Sequence, residues 1–286
     1  MALVDTYENE IVDVLHAEEQ DPEWLIPDLL LQGSMVCLAG EPGAGKSYVS
    51  YTMGLAVATG IAALDGIVPP GKPKTVIYFD QENSRQDRDK YLRRSWHGLA
   101  RNGKLPDVGL LLKHFHPIHF ALGDDDWADV AAEYIELLCP QLVIFDTATP
   151  CFNIADENDN AEAVREIKKI RALMMLADPV AAAIVLRHAK IAIEKGGRRT
   201  MRGAKSWHNA ADGIMYQVKG TGRPRKDGLS LTRLEPDKTR AYGLSRIVYI
   251  TPEWTDEERT GLVLHGSYHP DKEHKRLERL EEDENG

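Results

Sequence analysis

The stretch that most constrains the fold is residues 35–51, MVCLAGEPGAGKSYVSY. Its first five residues are apolar and predict a short buried strand, and the small and apolar residues 48–60 predict a helix. Between the two lies Gly-x-x-x-x-Gly-Lys-Ser, which begins at Gly40 and ends at Ser47. This pattern, placed between a strand and a helix, is typical of a phosphate-binding loop.

The residue types of this loop explain its expected chemistry. Glycines let the backbone curl so that successive N–H groups face an anion, and the N-terminus of the following helix adds a positive end. Lys46 is expected to be catalytic and to reach the β and γ phosphates of ATP, and the Ser47 hydroxyl is expected to ligate Mg²⁺. The predicted cofactor-binding residues are Gly40, Glu41, Pro42, Gly43, Ala44, Gly45, Lys46, Ser47 and Tyr48.

Composition favours a cytoplasmic protein with one large core. The chain has 286 residues, is 43% hydrophobic and carries a net charge of −10, with its acidic residues concentrated at both ends. No apolar run approaches the roughly 18 residues of a membrane-spanning helix, and the acidic N-terminus does not resemble a signal peptide, so we expect no membrane partner. The three cysteines form no CxxC motif, which favours reduced thiols.

Strand-like and helix-like segments alternate from residue 35 to residue 190, and strand-like segments follow one another after that. Such alternation predicts an α/β fold with a mostly parallel sheet flanked by helices and with C-terminal antiparallel strands. Residues 109–115 are predicted as the third strand. We expect one ATPase domain over residues 25–252, between an acidic N-terminal helix or tail (1–24) and a charged C-terminal tail (253–286).

Three polar side chains come at the predicted carboxyl ends of strands, where ligands of open α/β sheets bind. Asp146 follows four apolar residues and is expected to hold Mg²⁺ through water. Glu82 lies two residues beyond the second strand and could orient the attacking water, and His188 ends the fifth strand and could sense the γ-phosphate. A helix-capping Asp, a surface Glu and a strand-end His without a ligand remain the alternatives.

The sequence resembles the RecA superfamily of ring ATPases, and within it the RepA-like hexameric replicative helicases with a DnaB-type core. The resemblance covers residues 25–250 and rests on EWLIPDLLLQGSMVCLAGEPGAGKS, VIYFDQE, LVIFDTATPCF…DEND, AIVLRHAK and RGAKSWHNAAD. It implies a RecA-like P-loop core, with Glu82 as catalytic carboxylate and His188 in a phosphate-sensing motif. The family often carries two histidines at that strand end, whereas here Arg187 precedes His188, which leaves the sensor role open.

Residues 238–243, KTRAYG, resemble the Lys-x-Arg-x-x-Gly segment of DnaB-type helicases. The resemblance implies that Lys238 and Arg240 are catalytic in trans, because in that family they reach the ATP site of the neighbouring subunit. Hydrolysis would then depend on a homo-oligomeric ring, a hexamer. A solvated hairpin edge is the alternative.

Residues 190–226 contain ten Lys or Arg against two acids. In a ring, such a loop could face the central channel and track the backbone of single-stranded DNA. The candidate nucleic-acid contacts are Lys195, Arg198, Arg199, Arg202 and Lys205. A solvated basic loop is the alternative, and Trp207 is expected in the core more than on a base. The histidines of residues 113–119 fit no zinc pattern.

These features favour an ATP-hydrolysing helicase or translocase that acts with replication proteins of a plasmid, phage or mobile element. The alternatives are a nucleotide-switched regulatory or assembly ATPase of KaiC-like type and a recombinase-type DNA-binding ATPase. Stimulation of hydrolysis by single-stranded DNA distinguishes the first from the second.

Overall fold

A computed structural model of the chain describes residues 15, 23–100, 105–119, 127–152, 154–156, 159–190, 200–201, 205–220, 225–239 and 246–285. The strands are β1 (Trp24–Ile26), β2 (Leu30–Leu31), β3 (Met35–Gly40), β4 (Val76–Asp80), β5 (Phe115–Ile118), β6 (Leu142–Asp146), β7 (Ala182–Lys190), β8 (Thr200–Met201), β9 (Gly213–Lys219), β10 (Thr232–Thr239), β11 (Val248–Trp254) and β12 (Leu262–Ser267). The helices are α1 (Lys46–Thr59), α2 (Arg85–Gly98), α3 (Val108–His114), α4 (Trp127–Leu138), α5 (Ala148–Cys151), α6 (Asn160–Met174), α7 (Lys205–Ala210) and α8 (Lys272–Asn285). None of the helices in these ranges is both long and apolar enough to cross a bilayer.

One large sheet runs in the order β12-β11-β10-β9-β3-β7-β6-β4-β5. The strands from β9 to β5 pair in parallel, and β9 to β12 pair antiparallel. This order confirms the predicted α/β fold, including its antiparallel C-terminal extension. The phosphate-binding loop follows β3 near the middle of the sheet, so strands with polar ends flank it on both sides.

Both faces of the sheet are covered, which explains why its central strands are apolar throughout rather than alternating. Every residue of β3, β4 and β6 is buried. Helices α1 and α2 contribute to the core on one face, and α4, α6 and α7 contribute to the core on the other. Helix α1 is buried nearly along its whole length, because α2 and α3 pack against it in addition to the sheet.

The prediction of a strand over residues 109–115 is wrong. That segment forms α3, because the Asp107 carboxylate accepts a hydrogen bond of 2.9 Å from the Gly109 N–H and begins a helix there. The apolar run is misleading, since Leu112 is 74% exposed. Strand β5 begins only at Phe115.

The predicted domain boundary after residue 252 is too early. Strand β11 continues to Trp254 and pairs with β12 over six residues, so the sheet includes residues that were expected in a tail. Helix α8 then packs beside β11, where the Tyr249 hydroxyl donates a hydrogen bond of 2.7 Å to Glu278 and the His274 ring is buried. The predicted acidic segment 1–24 lies almost entirely outside the described residues.

Candidate active site at the carboxyl edge of the sheet

The loop between β3 and α1 has the conformation of an anion cradle. Gly43 and Gly45 have φ angles of 74° and 90°, which favour glycine, and Gly45 is the N-cap of α1. No side chain caps the N-terminus of α1, so the N–H groups of its first turn can meet an anion. The predicted loop residues 40–48 are therefore contiguous at one site, and residues 42–48 line a cavity of about 350 Å³.

Lys46 is folded against the loop that precedes it. Its ammonium group donates hydrogen bonds to the carbonyl oxygens of Gly40 (3.0 Å) and Glu41 (3.2 Å), and only 7% of the residue is exposed. Burial lowers the pKa of Lys46, and the negative charges of Glu82 and Asp146 oppose that shift. A phosphate oxygen placed in the cradle could take the place of these two carbonyls.

Asp146 lies at the end of β6 and is fully buried. Its Oδ2 accepts a hydrogen bond of 2.8 Å from the Tyr78 hydroxyl, while Oδ1 has no hydrogen-bond partner among the described residues. Burial, reinforced by the negative charge of Asp80, raises the pKa of Asp146 to about 7. A buried carboxylate with one unpartnered oxygen beside a phosphate cradle fits the hard oxygen ligand that Mg²⁺ prefers.

Asp80 is a second buried carboxylate, which the sequence-based prediction of the site missed. It lies beside Asp146 in the register of β4 and β6, and it accepts hydrogen bonds from the Tyr51 hydroxyl (3.0 Å) and from Asn83. Burial raises its pKa as well. Its position after four apolar strand residues matches that of Asp146, and this was the available signal.

Glu82 and His188 lie close together at the carboxyl edge of the sheet. The backbone N–H of Glu82 donates to the Asp146 carbonyl (3.3 Å), which holds the segment after β4 beside the end of β6. Glu82 Oε1 then lies 3.2 Å from His188 Nε2. That hydrogen bond is the main reason why the pKa of Glu82 is lowered despite its partial burial. An ionised carboxylate oriented by an imidazole can orient or deprotonate a water molecule.

The prediction that His188 ends its strand is wrong. Strand β7 continues to Lys190 and pairs there with β8, and His188 lies opposite Gly40 in the register of β3 and β7. The imidazole is therefore beside the start of the phosphate-binding loop. Both His188 and Glu82 line the same cavity as the loop.

The preceding residue, Arg187, points to the other face of the sheet. Its guanidinium lies 4.4 Å from the centre of the Trp207 ring, and both residues are buried. Trp207 also stacks on Phe152 at 6.1 Å. Trp207 is therefore a core residue, as the sequence favoured, and is not available to stack on a base.

Of the remaining predicted site residues, the two that the structure describes, Lys205 and Lys238, do not line the cavity. Lys238 donates hydrogen bonds to the His208 and Asn209 carbonyls near the end of α7, at 2.5 and 2.8 Å. Arg240 and four of the five candidate nucleic-acid contacts lie outside the described residues: Lys195, Arg198, Arg199 and Arg202. Lys205 is described; it begins α7 and is exposed. No cluster of three or more potential metal ligands occurs in the described ranges, including the histidines near β5.

Residues 6–190 match a family model described as an AAA domain. This match spans more than half of the chain and includes the loop, Glu82, Asp146 and His188. The chain belongs to the AAA-domain family of P-loop ATPases. Membership supports nucleotide binding and ATP hydrolysis for this AAA domain. No curated protein matches the chain.

Gln217 is a further site residue that sequence reasoning missed. It is buried on β9, and its side-chain Nε2 donates a hydrogen bond of 2.7 Å to the carbonyl of Ala44 in the loop. It also lines the cavity. Nothing in the sequence could have indicated it, because the two residues are 173 positions apart.

Proposed function

We propose that this AAA domain is a Mg²⁺-dependent ATPase that assembles as a ring, a hexamer, and moves along single-stranded DNA during replication. The observation that carries the hydrolytic part is the Glu82–His188 pair, which shares one cavity with the phosphate-binding loop. The ring and the DNA are supported by the resemblance, by the basic segment after β7 and by the position of Lys238.

The side chains of the cavity can divide the work of hydrolysis. Lys46 would bind the phosphates, since it already binds two oxygen atoms in a buried position. Glu82 would orient the attacking water and accept its proton, while His188 holds the Glu82 carboxylate in place. Ser47 and Asp146 would hold Mg²⁺, which when bound would offset the negative charge of the phosphates.

The other half of the cavity suits a nucleoside base. Its apolar lining comes from both sides of the site, with Tyr48 and Tyr91 on the helices and Leu229, Ile250 and Leu262 on the extension. A volume of about 350 Å³ lies within the range of small-ligand pockets. The antiparallel strands therefore give the phosphate-binding loop a second wall, which supports a whole nucleotide as the ligand.

Lys238 lies far from the cavity of its own chain. Thr232, at the other end of β10, lines the cavity and pairs with Lys219, whereas Lys238 pairs with Ile214 near the opposite edge of the sheet. Six strand residues separate the two ends by about 20 Å. Lys238 could act in catalysis only on a second copy of the chain, which supports a ring with shared sites.

The position of the basic segment in the sequence, directly after β7, supports a coupling between hydrolysis and its movement. Strand β7 carries His188 at the cavity, and the segment of ten Lys and Arg residues begins two positions later, at Lys190. Loss of a phosphate beside His188 would change the end of this strand and the loop that follows it. Coupling of this kind is what a translocase on single-stranded DNA needs.

The test measures ATP hydrolysis with and without single-stranded DNA over a range of salt concentrations. We expect stimulation by DNA that weakens as salt increases, because phosphate contacts release counterions. Arg198→Ala/Arg199→Ala should lose the stimulation, whereas Arg171→Ala, outside the basic segment, should keep it. Hydrolysis that ignores DNA at every salt concentration would rule out the translocase.

One observation favours a second candidate, a nucleotide-switched regulatory or assembly ATPase. Lys238 is held by carbonyl groups of its own α7, which is the contact expected if it only stabilises a helix end. Mixing Arg240→Ala subunits with Glu82→Gln subunits distinguishes the two candidates. Under the ring proposal, each variant is inactive alone and the mixture recovers up to about a quarter of the wild-type rate, because some intact sites then meet an intact Arg240 of a neighbour. Normal hydrolysis by Arg240→Ala alone, or no recovery on mixing, indicates the regulator.

A further inference from the structure

Gln217 contacts the phosphate-binding loop at two points. Strand β9 pairs in parallel with β3, so that Gln217 lies opposite Gly40. A Cβ atom on Gly40 would lie 2.7 Å from the Gln217 carbonyl oxygen, and therefore the strand tolerates only glycine there. The Gln217 side chain then reaches further along the loop, to the carbonyl of Ala44 (2.7 Å).

The Gly45 carbonyl accepts a hydrogen bond from the Val49 N–H of α1 (3.1 Å), and the Ala44 carbonyl accepts one from the Gln217 side chain. The orientation of this side chain follows from chemistry, because the Ala44 carbonyl can only accept and so requires the amide nitrogen. The amide oxygen, Oε1, is buried and has no hydrogen-bond partner among the described residues. Holding Gln217 in this position therefore has a cost in the folded state, which indicates that the contact with Ala44 serves more than packing.

The direction of the Ala44 carbonyl decides where the next N–H points. The carbonyl of Ala44 and the N–H of Gly45 belong to one peptide unit, and in a trans peptide they point in opposite directions. Since Gln217 binds the carbonyl on the side of β9, the Gly45 N–H points away from β9. Gly45 has a φ angle of 90°, a region in which glycine can readily change conformation, so the peptide needs an external group to fix it.

We propose that Gln217 is a positioning residue that fixes the Ala44–Gly45 peptide so that the Gly45 N–H is available to the phosphates of the nucleotide. The proposal rests on the proposed nucleotide site. Gln217 is a positioning residue because its amide donates to the loop and not to the ligand. Strand β9, on the side of β3 away from Glu82 and Asp146, thereby sets the affinity of the phosphate cradle.

The test compares Gln217→Leu with the wild type. Leucine has a similar size and cannot donate, so we expect ADP to bind about ten- to a hundredfold more weakly, the range of one hydrogen bond to a charged group. Phosphate contacts act in the ground state and the transition state alike, so KM should rise more than kcat falls. The ¹⁵N-labelled amide of Gly45 should shift on ADP binding in the wild type and shift much less in the variant.

Met215→Ala is the matched control, since Met215 is buried on the same face of β9, two residues before Gln217. This variant should lower stability and leave the ADP affinity within about twofold of the wild type. Gln217→Met provides a second test, because a thioether side chain has a similar length, carries no charge and cannot donate to Ala44.

Two outcomes are separable. If the wild type binds ADP and both Gln217 variants bind it equally well, with the Gly45 shift unchanged, the positioning role is wrong and the nucleotide site stands. If the wild type itself binds no nucleotide, the proposed function fails and the role of Gln217 fails with it.

Discussion

Because Asp146 is buried, the free energy of unfolding of the metal-free protein should depend on pH. A variant without this carboxylate should lack that part of the dependence. The carboxylate is fully buried in a strand, and its pKa is about 7 in the folded chain against about 4 for an unfolded one. Between these two values the folded state holds a proton that the unfolded state has lost. The free energy of unfolding therefore falls as the pH rises from about 4 to about 7.

The size of the effect follows from the difference between the two pKa values. Each pH unit in this window changes the free energy of unfolding by about 1.4 kcal/mol, which gives an upper limit of about 4 kcal/mol at pH 8. Asp146→Asn removes the ionisation and retains an oxygen for the Tyr78 hydroxyl. Without metal, we expect the variant to be more stable than the wild type by roughly 1 to 4 kcal/mol at pH 8, by about a third of that at pH 5, and about equal to it only below about pH 4.

Magnesium should reverse this order. At the proposed site, Mg²⁺ with nucleotide would bind the ionised carboxylate and stabilise the folded wild type, whereas the neutral amide of Asp146→Asn would be a poorer ligand. The assay is urea unfolding at several pH values, once with a chelator and once with Mg²⁺ and a non-hydrolysable ATP analogue. Asp80, whose pKa is also raised, interacts with Asp146 through its negative charge, so the difference between the two proteins includes this interaction.

Asp129→Asn, at an exposed position in α4, controls for the loss of one negative charge. If the difference in the free energy of unfolding between Asp146→Asn and the wild type stays constant from pH 5 to pH 8 without metal, the pKa of Asp146 is not raised by burial. A metal-free variant less stable than the wild type at pH 8 would also contradict the raised pKa.

Three further predictions concern catalysis and packing. Glu82→Gln should slow hydrolysis in single-turnover assays by about 10² to 10⁴-fold, because the amide cannot accept a proton. The affinity for ATP should be nearly unchanged. A variant that keeps a tenth of the rate would exclude Glu82 as the base. Tyr78→Phe should lower the free energy of unfolding in urea by about 1 to 3 kcal/mol, because Asp146 and Ser50 both hydrogen-bond to this hydroxyl; no change would mean that water replaces it. Gly98→Ala should lower the melting temperature, because the alanine Cβ would overlap the Leu262 carbonyl of β12. This is the opposite of the usual effect of alanine in a helix. An unchanged or higher melting temperature would show that α2 and β12 are not packed as described.

The sequence predicted those parts of the fold and the site that depend on neighbouring residues. The glycine spacing around Lys46 determines a curled loop, and four apolar residues before Asp146 identify a buried strand end. Glu82 was expected near the other strand ends because parallel strands bring their carboxyl ends to one edge, and in the structure it lies 3.2 Å from His188. These inferences need only local pattern and the general geometry of parallel sheets.

The errors have equally physical causes. Residues 109–115 are apolar without a clear period, and a short apolar run does not distinguish a strand from a helix; the Asp107 cap decided it. Strand β12 was missed because its pairing with β11 depends on a contact between two segments of mixed polarity. Such short edge strands gain their stability from the partner strand and not from their own composition.

What the sequence determined by itself is the kind of ligand, since Gly-x-x-x-x-Gly-Lys-Ser can form an anion cradle from its own backbone. The tertiary structure alone decided which groups surround that cradle. It placed Asp80 beside Asp146, and it brought Gln217 to Ala44 across 173 positions of sequence. The reason is that backbone conformation is set by adjacent residues, whereas burial, pKa and hydrogen-bond partners depend on which strands become neighbours.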